Sequence, residues 1–292
     1  MKYLSDIIPI FDSLSHPTSS GLWEGKSRFK SSSFDDLVSE MLLNNICGSI
    51  ASTYPINEEI KISEFQERCF LLSEKYNLVI SPAWIIDDRN GNAAENIKEI
   101  YEISKKFKRP TIIKLNANYI NFKDFDRIKE IINAVLDKFN KNIVIYICTY
   151  PFFKFNLNKE IYDPILLVDK FSKLKIKCPI VLLHGCVNRL LDATIYAQHF
   201  ENIYLDLSFT LCRFINSSLI NDLSYTFEYL DQKIIIGTDH PEYNYIDLRN
   251  NLKIIEKELA KKLDNENLLK KFENIMNKNL SSILEKRTNH LN

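Results

Sequence analysis

Glycine is scarce in this chain, with six in 292 residues. None falls in a GxGxxG or GxxxxGK run of the kind that cradles phosphates, which argues against a nicotinamide or nucleoside triphosphate site. Net charge is also absent: 38 basic and 38 acidic side chains sum to zero. That balance argues against nucleic acid or an anionic membrane surface as the main partner. The lysine-rich stretches KKFKRP (105–110) and KFSKLKIK (170–177) alternate with apolar residues and read as solvated helix faces. No window approaches the roughly 20 apolar residues that span a bilayer. Asp6 and Asp12 interrupt what would have to be a signal core, so no cleaved leader is expected. The six cysteines form neither a CxxC pair nor a metal-finger spacing. They read as buried thiols in a reducing, cytoplasmic setting. A GxSxG elbow is missing too, which removes the commonest serine hydrolase layout.

What the chain does have is alternation. Short apolar runs at 7–11, 46–53, 77–86, 111–116, 142–151, 179–185, 202–208 and 233–239 read as strands. Between them lie amphipathic segments with apolar residues three and four apart, at 33–45, 58–76, 92–107, 122–139, 162–175, 188–200 and about 214–230, and helix again from about 246. Ser33, with Asp35 and Asp36 behind it, reads as a helix cap. Strands that are apolar throughout, without period-two alternation, suit parallel strands covered on the outside by helices. Eight strand-helix units in one chain of this size predict a (β/α)8 TIM barrel, an α/β fold, with two extra C-terminal helices over 263–286. With no internal repeat and no linker, residues 1–292 are expected to form a single domain.

In such a barrel, chemistry sits at the C-terminal ends of the strands. Reading only those positions gives Asp12, Leu14 and His16 after strand one, Lys114 on strand four, and Tyr146, Cys148 and Tyr150 on strand five. His184 follows strand six, Asp206 and Ser208 strand seven, and Asp239 and His240 strand eight. Taken together, IIPIFDSLSHPT (7–18), VLLHGC (181–186), ENIYLDLS (201–208) and IIIGTDHP (234–241) resemble the amidohydrolase superfamily, in its amidohydrolase-related branch of metal-dependent hydrolases and decarboxylases. The resemblance covers about residues 7 to 275. It implies a metal-binding Asp at 239 and histidines on strands one and five. Leu14 stands where the first of a pair of metal-binding histidines belongs, and Cys148 where a fifth-strand histidine belongs.

Two readings of the mouth follow. In the first, His16, Cys148 and Asp239 hold zinc or another divalent metal, and His184 and Asp239 move protons during hydrolysis of a C–N or ester bond, or during decarboxylation. Lys114, Arg89 and His240 then bind a small polar substrate. In the second, the site has lost its metal, leaving a non-catalytic pseudoenzyme barrel that binds a ligand or a protein partner, with Lys114 paired to Asp239 across the mouth. Metal-free acid–base chemistry by Asp239, His184 and His16 belongs to this second reading as well. A thiolate–imidazole pair of Cys148 and His184 is weighed and set aside, because no third residue is placed in the sequence to orient the histidine. Trp23 and the TYPFF run (149–153) are expected near the mouth, with the hydroxyls of Tyr243 and Tyr245 in the pocket. Oligomeric state stays open, a homodimer included.

Overall fold

The computed structural model describes residues 3–18, 21, 32–53, 61–106, 109–140, 142–151 and 162–285. Trp23, Phe152, Phe153 and the tail beyond 285 lie outside them. Within them the chain runs α1 (Leu4–Ile7), β1 (Ile10–Ser15), α2 (Phe34–Leu43), β2 (Ile46–Ser52), α3 (Ile62–Tyr76), β3 (Val79–Ile85), α4 (Ala93–Ser104), β4 (Thr111–Leu115), α5 (Phe125–Phe139) and β5 (Ile143–Cys148). It continues through α6 (Pro164–Ser172), β6 (Ile180–Leu183), α7 (Leu190–His199), β7 (Ile203–Asp206), α8 (Thr210–Phe214), α9 (Leu219–Tyr229), β8 (Ile234–Ile235), α10 (Tyr245–Leu259), α11 (Asn265–Glu273) and α12 (Asn279–Glu285). All eight strands lie parallel in sequence order, β1 to β8. The expected (β/α)8 barrel and its added C-terminal helices are therefore present.

Two elements differ from the sequence reading. The first apolar run begins as the short helix α1, tied down by Glu256, whose carboxylate accepts from the amides of Leu4 and Ser5. The strand is consequently displaced to Ile10–Ser15 and reaches almost to His16. The segment expected as one helix over 214–230 is split into α8 and α9. Ser33 caps α2 as expected, and the Asp36 side chain accepts in return from the Ser33 amide.

Burial explains why the strands carry no alternation. Outward residues such as Ile80, Trp84, Ile113, Ile145 and Leu182 join one large core under the helices. Inward residues, among them Phe11, Leu14, Ile50, Ile112, Val144 and Tyr146, fill the barrel. Leu280, Ile283 and Leu284 of α12 pack against this inner cluster and plug the floor. Both faces of each strand are thus buried, so both must be apolar.

Closure falls to the seam between β8 and β1, because β8 is only two residues long. The Ser13 amide donates to Ile236 O (2.9 Å), Asp239 N to Leu14 O (3.0 Å) and His16 N to His240 O (2.7 Å). Asp12, fully buried, reinforces the seam by accepting from Thr238 N (3.0 Å), Thr238 Oγ1 (3.0 Å) and Tyr245 Oη (2.8 Å). Burial pushes the Asp12 carboxyl up to about 7, against the lowering effect of those donors. Gly237 makes this approach possible, since a Cβ there would stand 2.5 Å from Asp12 Oδ1 and 2.6 Å from Ser13 Oγ. Gly237→Ala is expected to cost about 2–3 kcal/mol by overpacking the seam, read as a lowered urea midpoint with an unchanged m-value.

Candidate functional site

The carboxyl ends of β1, β4, β5, β6 and the β8 exit bring five ionisable side chains into one electrostatic cluster. His16 follows β1 with its ring buried. Its Nδ1 donates to the Ser52 carbonyl at 3.2 Å, which leaves Nε2 turned inward. Nε2 stands 3.3 Å from Lys114 Nζ and 3.3 Å from Asp239 Oδ1. Lys114 is only 2 % exposed despite its charge. Its position is set by the register of β4, where it faces Ile85 of β3 and Tyr146 of β5. The sequence reading paired Lys114 directly with Asp239. The structure instead has both groups meeting at the same His16 nitrogen.

The second histidine is held differently. His184 opens a 3-10 turn, His184–Arg189, and has a left-handed φ of 64°, while Asp239 has φ 57°. Non-glycine residues in this region are strained, and such strain gathers at functional sites. His184 Nδ1 donates to the Ser208 carbonyl at 3.1 Å, and Cys148 lies on the neighbouring strand opposite Leu183. Behind them the buried carboxylate of Asp206 accepts from Ser208 N (3.0 Å), His184 N (3.2 Å), Ser208 Oγ and Ser13 Oγ. Asp206 and Ser208 stood on the strand-end list without a role. Neither reveals one in sequence, since a backbone carbonyl carries no signature there. Tyr150, Phe209 and His184 form a cluster of edge-on rings with centroids 5.1–6.1 Å apart, and Tyr243 packs against Phe209 at 5.8 Å.

Burial and charge set opposite proton affinities on the two histidines. For His16, desolvation and then the Lys114 charge outweigh Asp239 and lower the ring to about 4. For His184, desolvation also opposes the charge, but Cys148, Asp239 and Asp206 prevail and raise it to about 9. Asp239 falls to about 2 despite its burial, held there by the His16 ring 3.3 Å away and by His184 and Lys114 nearby. Burial lowers the Lys114 ammonium as well. The mouth at neutral pH therefore holds a neutral His16, a protonated His184 and an ionised Asp239.

Other expected participants lie elsewhere. Arg89 is exposed, forks onto Asp87 in its own loop and stacks 4.8 Å over Tyr119, while Asp88 pairs with Arg127 at 2.7 Å. Arg89 is thus paired within its loop and Asp88 with Arg127 of α5. His240 is buried, lies parallel to Tyr245 at 6.4 Å and is lowered to about 4, first by desolvation. The Tyr245 hydroxyl serves the seam through Asp12 and not the pocket.

A divalent ion such as zinc wants three protein donors around a position open to substrate. Here His16 Nε2 has Lys114 Nζ and Asp239 Oδ1 each at 3.3 Å, and the lysine amine stands in the spot a cation would need. Leu14 is fully buried with Tyr146 and Cys148 in the inner apolar cluster. Among the described residues, no group of three or more His, Cys, Asp or Glu side chains could hold a metal ion. As unmodified side chains these residues do not fit the zinc or other divalent ion that the resemblance implies.

The two histidines should be separable in solution. Imidazole NMR titration is expected to show His184 protonated at pH 7 and titrating near 9, with His16 neutral and titrating near 4. Stability follows by linkage. Between pH 6.5 and 9 the folded state keeps a His184 proton that the unfolded chain releases, so this contribution falls as pH rises. Between pH 6.5 and 4 the unfolded chain takes a proton that folded His16 refuses, so stability also falls as pH drops. Urea midpoints for His184→Gln and His16→Gln should each lose the corresponding limb.

The chain matches no family model and no curated protein sequence. Its likeness is to solved structures, and at these identities it extends to the fold alone. An uncharacterised TIM-barrel protein from Bordetella bronchiseptica superposes with a TM-score of 0.65 at 15% identity, covering 94% of this chain and 98% of that one. A protein from Lactobacillus casei, provisionally described as a metal-dependent hydrolase, gives 0.59 at 12% identity with 96% of each chain covered. A Pseudomonas putida protein, provisionally described as a 2-pyrone-4,6-dicarboxylic acid hydrolase, gives 0.53 at 10% identity, covering 94% and 97%. This chain thus has the barrel fold found among such hydrolases.

Proposed function

We propose that this chain is an amidohydrolase-like barrel whose mouth works without a metal and binds a small polar ligand carrying a negative charge. One observation carries the reading. Lys114 Nζ stands 3.3 Å from His16 Nε2, so a lysine side chain occupies the histidine nitrogen that a metal would otherwise need. The protonated His184 and the Lys114 amine face a single ionised carboxylate, Asp239, and both are donors that an anionic ligand would engage. An ammonium in so dry a place makes charge-assisted hydrogen bonds stronger than those at a surface.

A second reading is metal-free hydrolysis or decarboxylation of the same ligand. It is favoured by the proximity of a protonated His184 to an ionised Asp239, an acid and a base within one cluster.

Elemental mass spectrometry on protein purified without chelator is expected to find far less than one metal per chain. The value should stay there after incubation with zinc, manganese or iron in bicarbonate. Bicarbonate matters because a carboxylated Lys114 would be an anionic ligand in place of a cation. Small carboxylates and lactones should then raise Tm by about 2–4 °C at saturating concentration, and Lys114→Met should abolish the shift. One metal per chain, lost in Asp239→Asn, would sink the reading. Turnover of any bound lactone or amide that disappears in Asp239→Asn and His184→Gln would select the second reading over the first.

A further inference from the structure

A second recess lies on the outer face of the barrel, away from the mouth. A cavity of about 510 Å³ is bordered by α3, by β3, by the end of α4 and by the start of β4. That volume falls in the range of roughly 300–1,000 Å³ in which proteins hold small ligands. The gap exists because several of the side chains around it are small. Cys69 and Ser73 of α3, Pro82 of β3 and Ser104 of α4 line it, whereas α5 buries Ile128, Ile131, Ile132 and Val135. Its walls are also pinned. The Ser73 hydroxyl accepts from Ile80 N at 2.9 Å and donates to the Cys69 carbonyl at 2.7 Å, which fastens the end of α3 to β3. A preformed gap forfeits dispersion contacts that a ligand can supply without reordering the protein.

The lining divides into two kinds of surface. Phe70, Leu78, Ile80 and Trp84 supply an apolar wall, and Lys106 and Arg109 border it just ahead of β4, with Glu74 as the acidic residue in the lining. Arg109 has a neutral partner, its Nη1 donating to Ser81 Oγ at 3.2 Å. A guanidinium so placed keeps donors for a carboxylate, whose two oxygens match its planar fork. The β3–β4 register, with Ala83 opposite Ile112, sets Arg109 level with Ile80. Trp84 lies four residues further along β3, about 13 Å away at the rise of a parallel strand.

We propose that this cavity is a second ligand site, separate from the mouth, and that it takes a small amphipathic carboxylate with a chain about as long as that run of β3. The apolar body lies along Ile80, Phe70 and Trp84, and the carboxylate faces Arg109 and Lys106. The site goes beyond the reading of the mouth and does not depend on it.

The chain has two tryptophans, Trp23 and Trp84, so Trp23→Phe leaves Trp84 as a reporter in the cavity wall. Decanoate, titrated below its micelle-forming concentration, is expected to change Trp84 emission saturably. Decanol carries the same chain without the charge and should bind at least tenfold more weakly. Arg109→Met should bring decanoate down to the affinity of decanol, and Ser104→Phe, which fills the gap, should abolish the response to both. The response to decanoate should persist in Lys114→Met, which alters the mouth alone. Arg109 is exposed, so Arg109→Met is expected to fold and keeps the test decisive if circular dichroism shows that Ser104→Phe does not. Equal affinities for decanoate and decanol in the Trp23→Phe protein would overturn the proposal, as would the lack of any saturable response. So would a response that Lys114→Met removes and Arg109→Met spares, because the decanoate would then be seated in the mouth.

Discussion

Two buried carboxylates hold this barrel together where its backbone does not. Asp12 ties β1 to the exit of β8 and to α10, and Asp206 ties the exit of β7 to β1 and to the turn after β6. Each accepts from several neutral donors, the arrangement that lets a carboxyl stay in a dry interior. The short β8 could not close the sheet by ladder bonds alone. Everything at the mouth is referred to this frame, because the backbones of His16, His184 and Asp239 are each bonded within it.

The frame also explains how a cation comes to be buried at the mouth. Burial lowers the Lys114 ammonium, and Cys148, Asp239 and Asp206 within reach oppose that loss of charge. His16 responds by staying neutral and His184 by staying charged, although both are histidines at strand ends of one barrel. The difference comes from the neighbours of each ring, Lys114 in one case and Cys148 with Asp239 and Asp206 in the other.

The barrel was legible in the sequence because burial of both strand faces leaves its mark residue by residue, as in IVIYIC and IVLL. The start of β1 was not, because IIPIF is equally apolar whether it is helix or strand, and only Glu256, far along the chain, decides it. At the mouth the residue types could be named from position alone, and His16, Lys114, Cys148, His184 and Asp239 do gather. Their contacts could not be read, since these depend on left-handed turns at His184 and Asp239 that non-glycine residues do not advertise. The partners of Arg89 and Tyr245 were hidden in the sequence for a related reason. Each had a partner nearer than the mouth, Asp87 and Asp12, and a short-range partner outcompetes a hypothetical ligand.

The seam has one more consequence. The amide of Asp239 closes the barrel onto Leu14 while its carboxylate faces His16. One residue therefore belongs both to the hinge line along which the cylinder would open and to the surface that a ligand would touch. Occupancy and closure are then coupled quantities. A molecule seated on Asp239 would slow hydrogen exchange at the amides of Ser13, His16 and Asp239, a row of probes that reports filling of the cup through the tightness of its wall.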